Sequence, residues 1–167
     1  MNIVERARIF ATLAHEAVGQ VRKYTSEPYI VHPAEVASIV ARVPHTREML
    51  AAAWLHDVVE DTNVTNEEIT QVFGDTVGEL VRWLTDVSLP EMGNRAARKE
   101  LDRNHIAQAT ADAQTVKLAD IISNCSSIGR HDPDFATLYF AEKRAVLDVL
   151  TKGDPTLMAE ARKIIGD

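Results

Sequence analysis

Apolar residues recur along most of this chain at three-and-four spacing, and no stretch alternates apolar and polar residues between turn signals as a half-buried strand would. In residues 46–60, Met49, Leu50, Ala53, Trp54 and Val58 form one stripe among strong helix formers, with no glycine or proline. The same period predicts helices at about 2–21, 33–43, 46–60, 65–72, 75–86, 94–109, 112–128, 134–151 and 154–165. Local signals punctuate them. Thr65 and Glu68 have capping-box spacing, and Gly74 suits a stop after Val72 and Phe73. Pro133 and Pro155 suit first helical turns. Pro33 suits the first position of a helix, which puts His32 at a helix mouth. The expected fold is all-α, a compact single domain over residues 1–167.

Composition narrows the class. A chain of 167 residues with no Pro/Gly/Ser-rich linker, low-complexity tract or internal repeat is expected to form one core. Its apolar runs are too short for a membrane span, and MNIVERARIF lacks a signal-peptide pattern, so a cytoplasmic protein with no membrane partner is expected. The net charge of −7 argues against nonspecific nucleic-acid or membrane-surface binding. An anionic substrate must then be met by a local basic cluster or by metal. Cys125 is the only cysteine, which excludes an intrachain disulfide and a cysteine-rich zinc site and predicts a small buried side chain. Nothing in the sequence sets the oligomeric state, which leaves a homo-oligomer open.

Candidate chemistry concentrates in AAAWLHDVVEDT, residues 51–62. Glu60 and Asp61 follow His56 and Asp57 at i+4, so on the last turns of a buried helix the pairs stack on neighbouring parts of one face. In TVKLADIISNC, Asp120 interrupts a helix that is otherwise apolar on most sides, and a carboxylate there needs a cation, strong donors or a metal. Asn124 at i+4 and Ser127 at i+7 extend its polar line. His32, His56, Asp57 and Asp120 thus make a candidate His₂Asp₂ set, suited to Mn²⁺ or another six-coordinate divalent ion more than to structural zinc. On the residues alone, a metal site and ordinary buried ion pairs stand level.

Arg95, Arg98, Lys99 and Arg103 share one face, readable either as a solvated charged surface or as a grip for distal phosphates, and Lys143 and Arg144 carry the same two readings. His15 reads as core or surface before it reads as a neighbour of the site. His45, His105 and His131 are expected to be exposed, and Trp54 and Trp83 to be core.

The order H…HD…D, with Glu-Asp just after HD, resembles the HD-domain metal-dependent phosphohydrolases. More narrowly, RKYTSEPYIVHPAEVA, AAWLHDVVEDT, FGDTVGELVRWLTDVS and VKLADIISN are similar to the hydrolase domain of RelA/SpoT-type proteins and to free-standing small alarmone hydrolases, over about residues 14–150. The resemblance implies that His32, His56, Asp57 and Asp120 hold one Mn²⁺ and that Glu60 and Asp61 activate or position the attacking water. It also implies that Asn124 and Ser127 line a nucleotide pocket, with Arg22 and Lys23 near base and sugar and Tyr139 in contact with substrate. The implied activity is release of pyrophosphate from the ribose 3′ position of a ppGpp- or ppApp-like alarmone.

At Ser126 the chain departs from many such hydrolases, which carry arginine in an NxR pattern where this one reads NCSS, so a shift from strict guanine alarmones towards adenine analogues is expected. Two alternatives accompany this reading. One is an HD phosphohydrolase of another nucleoside phosphate or of NADPH. The other is a non-catalytic nucleotide-binding module, which would be expected to have lost ligands or the acidic pair. A two-metal cyclic-dinucleotide phosphodiesterase fits poorly, because no further histidines are spaced for a second centre and the GYP segment is missing.

Overall fold

The computed structural model describes all residues, 1–167, and contains ten α-helices and no β-strand. The all-α expectation holds. The chain divides into two compact units, Met1–Thr85 and Asp86–Asp167. No helix is long and apolar enough to cross a membrane.

In the first unit, α1 (Ile3–Ala17) packs against α3 (Arg47–Leu55), which also packs on α2 (Val31–Val40) and α6 (Asp75–Leu84). Small residues make this possible: α1 buries Ala7 and Ala11, and α3 buries Ala51, Ala52 and Ala53, so the helix axes can approach closely. The short α4 (Val58–Asp61) follows, and then α5 (Asn66–Phe73), which pairs with α6. The predicted capping box is present: the Thr65 hydroxyl accepts from the Glu68 amide at 3.2 Å while Glu68 accepts from the Thr65 amide at 2.8 Å. Gly74 ends α5 at φ +91, where a side chain would be strained. A Cβ on Gly78 would lie 2.1 Å from Thr70 Oγ1, so this glycine lets α5 and α6 touch.

Several expectations need correction. The first helix stops at Ala17 instead of about residue 21. Gly19, at φ +65, donates to the Glu16 carbonyl and Gln20 donates to the His15 carbonyl, a Schellman closure that turns Gln20 and Val21 out of the helix. The helix expected over 46–60 is broken at His56–Asp57. His56 Nδ1 pairs with the Ala53 carbonyl at 2.7 Å, the acceptor that the amide of residue 57 would reach in an unbroken helix. Pro33 is the third helical residue of α2 and not the first, still within the turn whose amides lack intrahelical acceptors. Trp54 and Trp83 are half-buried and not core; rings of that size seldom lose all their exposure.

The second unit is built around α8 (Ala111–His131), which packs against α9 (Pro133–Leu147) and α10 (Pro155–Ile165), with α7 (Arg95–Ala107) on α9. Pro133 and Pro155 open their helices as expected. Buried Gln114 donates to the Ile106 and Ala107 carbonyls at 3.2 Å and accepts from the Lys152 amide at 2.8 Å, tying two chain turns to α8. Asp102 is buried and accepts from the Val87 and Ser88 amides and the Ser88 hydroxyl, all within 3.0 Å. Cys125 is buried, and burial pushes its thiol up to about 12.

Candidate metal site and acidic pair

The break after Leu55 brings His56 and Asp57 to the wall formed by α2. His56 Nε2 lies 3.3 Å from His32 Nε2 and 3.1 Å from Asp57 Oδ2, and His32 Nε2 lies 3.6 Å from the same oxygen. One ligand atom from each of these residues lies within 4.8 Å of the others. Both rings are buried. Because His56 Nδ1 faces a carbonyl, it carries the proton, and Nε2 turns its lone pair into the cluster. Two imidazoles and a carboxylate directed at one point form a donor set that fits a divalent cation, and the carbonyl behind His56 is the kind of partner that fixes a ligating histidine.

Around this cluster lie residues that the sequence reading passed over. The Tyr29 hydroxyl donates to Asp57 Oδ2 at 2.6 Å, and its ring lies 4.7 Å from that of His15. Gln20 Nε2 donates to Asp61 Oδ2 at 2.9 Å, while Gln20 Oε1 lies 2.7 Å from His15 Nδ1. His15 is buried, and burial pushes its ring below the usual histidine range, against the pull of its Gln20 bond. No periodicity marks Gln20 or Tyr29; only the turn after α1 brings them here. Glu60 and Asp61 are both exposed on α4. Asp61 is nevertheless raised above the usual carboxylate range, first by desolvation and further by the Asp57 charge, with the Gln20 bond opposing.

Arg22 and Lys23 occupy the loop after α1, closed by a bridge between Val21 and Pro28. The Arg22 amide donates to the Glu27 carbonyl at 2.8 Å, and Lys23 Nζ lies 5.1 Å from the Tyr24 ring.

The remaining predicted residues belong to the second unit. Asp120 is buried on α8 and paired there: Lys117 Nζ lies 3.0 Å from Oδ2, and Asn124 Nδ2 donates to Oδ1 at 2.7 Å. The need for a cation or strong donors, inferred from the apolar helix, is met within the unit. Ser126 and Ser127 are half-buried on the same helix, and His131 Nδ1 pairs with the Ser127 carbonyl. Tyr139 stacks obliquely on Phe135, with Lys143 Nζ 4.9 Å from its ring centre. Arg95, Lys99 and Arg103 of α7 line a cavity of about 360 Å³ with Glu142 and Lys143 of α9. Arg95 makes a two-pronged bond to Glu142 at 2.6 and 2.9 Å, and Lys99 lies 3.5 Å from Asp86. Arg98 is half-buried and is not among the lining residues; its buried Nε has no partner. His45 and His131 are exposed, and His105 is half-buried.

Residues 7–137 match the HD domain family. The chain belongs to the HD-domain family. Its relatives carry the names (p)ppGpp synthase/hydrolase, guanosine-3′,5′-bis(diphosphate) 3′-pyrophosphohydrolase and GTP pyrophosphokinase. It is 38% identical over 134 residues to the bifunctional (p)ppGpp synthase/hydrolase SpoT of Escherichia coli K12, covering 78% of this chain and 19% of that protein. It is 40% identical over 124 residues to the guanosine-3′,5′-bis(diphosphate) 3′-pyrophosphohydrolase of Haemophilus influenzae Rd, covering 72% and 18%. The chain therefore spans about a fifth of the length of the curated relatives it matches. Among solved structures it resembles a metazoan SpoT ortholog described as hydrolysing ppGpp and acting in starvation responses, with TM-score 0.85 and 28% identity over 98% of this chain and 94% of the other. A protein of Listeria monocytogenes EGD-e shares the fold at TM-score 0.68 and 24% identity, over 85% of this chain and 98% of that one. An HD domain implies a divalent metal, and the His32, His56 and Asp57 donor set fits one.

Proposed function

We propose that this chain is a Mn²⁺-dependent hydrolase that removes the 3′-pyrophosphate of a ppGpp- or ppApp-like alarmone, working as one HD phosphohydrolase domain in the cytoplasm. The observation that carries this reading is the convergence of His32, His56 and Asp57 on one point, beside an acidic pair, in a relative of proteins named for that reaction. Asp120 is assigned as the fourth ligand on the family resemblance. When bound, a divalent ion lowers the pKa of water and polarises a phosphoryl oxygen.

The chain's own residues supply the rest. Glu60 and Asp61 accept or orient the proton of the attacking water, a task suited to Asp61's raised affinity for protons. In-line attack of water at the phosphorus bonded to the ribose 3′ oxygen forms one P–O bond as the P–O3′ bond breaks. The departing 3′ oxygen takes up a proton to become the hydroxyl, and pyrophosphate carrying the water oxygen is released. Arg22 and Lys23 face base and sugar, while Asn124, Ser127 and Tyr139 hold the nucleotide. Arg95, Arg98 and Lys99 meet the phosphate charge that a chain of net −7 must attract locally.

The test is turnover of ppGpp, pppGpp, ppApp and NADPH with Mn²⁺, resolved by anion exchange. Pyrophosphate from an alarmone is the expected product. Orthophosphate points to another HD phosphohydrolase activity, and absence of turnover to a nucleotide-binding module. The serine at position 126 supports a preference shifted towards adenine, because it cannot make an arginine's two-pronged contact. The kcat/KM ratio of ppApp to ppGpp should fall in Ser126→Arg; a strong ppGpp preference in the unaltered protein, unmoved by the substitution, overturns the shift.

A further inference from the structure

Hydrogen bonding links the end of α1 to the acidic pair through side chains that the hydrolase reading does not use. Asp61 is exposed at the end of a single-turn helix, so its carboxylate has rotamers to choose among. One of its oxygens is held by Gln20 at 2.9 Å. The orientation of the Gln20 amide follows from charge: the carboxylate accepts, so Nε2 must face Asp61 and Oε1 must face His15. That choice fixes the histidine. At 2.7 Å from a carbonyl oxygen, His15 Nδ1 must carry the proton, and Nε2 is left as a bare lone pair. Nε2 is indeed buried without a partner. The alternative proton position would put an unpaired N–H there, and an orphaned donor is rarer in native proteins than an orphaned acceptor. A protonated ring would bury the same unpaired N–H together with a charge, so burial keeps His15 neutral.

The backbone sets up this arrangement. His15 is the residue whose carbonyl receives the Gln20 amide in the Schellman closure, at 3.1 Å, and Gly19 at φ +65 makes the turn. The motif that stops α1 therefore places Gln20 beside His15 and aims its amide outward.

We propose that Gln20 is a positioning residue for Asp61, locked in one amide orientation by His15, so that one carboxylate oxygen is held and the other is presented to the attacking water. This rests on the hydrolase reading. The test is Gln20→Met, which keeps the side-chain volume and removes both hydrogen bonds. With Mn²⁺ and ppGpp, kcat should fall roughly tenfold, a fraction of the 10²-fold loss that ångström-scale misplacement can cause. KM and metal content should stay unchanged, a split that general destabilisation would not give. Gln20→Glu keeps the amide's shape but turns a second carboxylate on Asp61, and should lose more kcat than Gln20→Met.

An independent readout is ¹⁵N NMR of histidine-labelled full chain, with diamagnetic Mg²⁺ in place of Mn²⁺. His15 should be protonated at Nδ1 and bare at Nε2, and should leave that single form in Gln20→Met. Protonation at Nε2 in the unaltered protein, or an unchanged kcat in both variants, overturns the proposal. Absence of any turnover in the unaltered protein overturns the hydrolase reading instead, and the positioning role falls with it.

Discussion

The two halves of the chain surround their buried and half-buried carboxylates differently. In Met1–Thr85 the Asp57 carboxylate accepts from the Tyr29 phenol, and two imidazole nitrogens converge on it from 3.1 and 3.6 Å. In Asp86–Asp167 the acids meet charge or backbone amides: Asp120 with Lys117, Glu142 with Arg95, and Asp102 with the Val87 and Ser88 amides. Imidazole nitrogens and a carboxylate turned on one point form a set whose attraction is for a cation. The second half spends that attraction on holding its own helices. Loss of a first-unit ligand should show in metal content and rate, and loss of a second-unit acid that only pairs internally should show in stability.

Asp120 offers the strongest way to break this contrast, because it is internally paired yet assigned as a ligand. Removing one partner of a buried ion pair costs about 3–5 kcal/mol through the charge left behind. A purely structural Asp120 would therefore leave metal content intact in whatever protein still folds. We expect instead that Asp120→Ala loses metal and activity together, as should His56→Ala. Elemental analysis of the folded fraction decides it: full occupancy in Asp120→Ala with loss in His56→Ala would remove Asp120 from the ligand set and leave the contrast complete.

Next in size is the acidic pair, which lies on the same short helix but outside the converging donor set. Glu60→Gln and Asp61→Asn should each keep metal and fold while lowering kcat by roughly 10²-fold, the scale of general acid–base assistance. Near-normal turnover in both would mean that this half holds a metal without working the proton.

How much of this was legible in the sequence depends on whether a residue's partner lies nearby in the chain. Capping at Thr65 and Glu68, the prolines that open α9 and α10, and the buried stripe of α8 are local and were read directly. Apolar spacing over 46–60 predicted one helix because periodicity does not register a side chain competing for a carbonyl, as His56 does with Ala53. Gln20 and Tyr29 were missed for a related reason. Each joins the site through a contact 41 or 28 residues away, and the only local clue was Gly19, the αL residue that ends α1 early. Asp120 was the opposite case. Its apolar surroundings announced that it needed a partner, but Lys117 and Asn124, three and four residues away on the same helix, answered that need without any metal.

The smallest expected effect concerns the pair joining α7 to α9. Glu142 is held below the usual carboxylate range, first by its hydrogen bond from Arg95 and then, against burial, by that guanidinium's charge. A carboxyl lowered on folding adds stability that is fully present above its unfolded value, near 4.5, and is lost as pH falls through the lower folded value. Arg95 is about half exposed, so solvent screens the pair and its worth should be only about 0.5 kcal/mol, less in high salt. Urea unfolding of the unaltered chain and of Glu142→Gln should therefore differ by that amount at neutral pH and converge in acid. A difference that persists unchanged below the folded value would mean that the side chain stabilises α9 by packing, and that this half depends less on paired charge than the contrast requires.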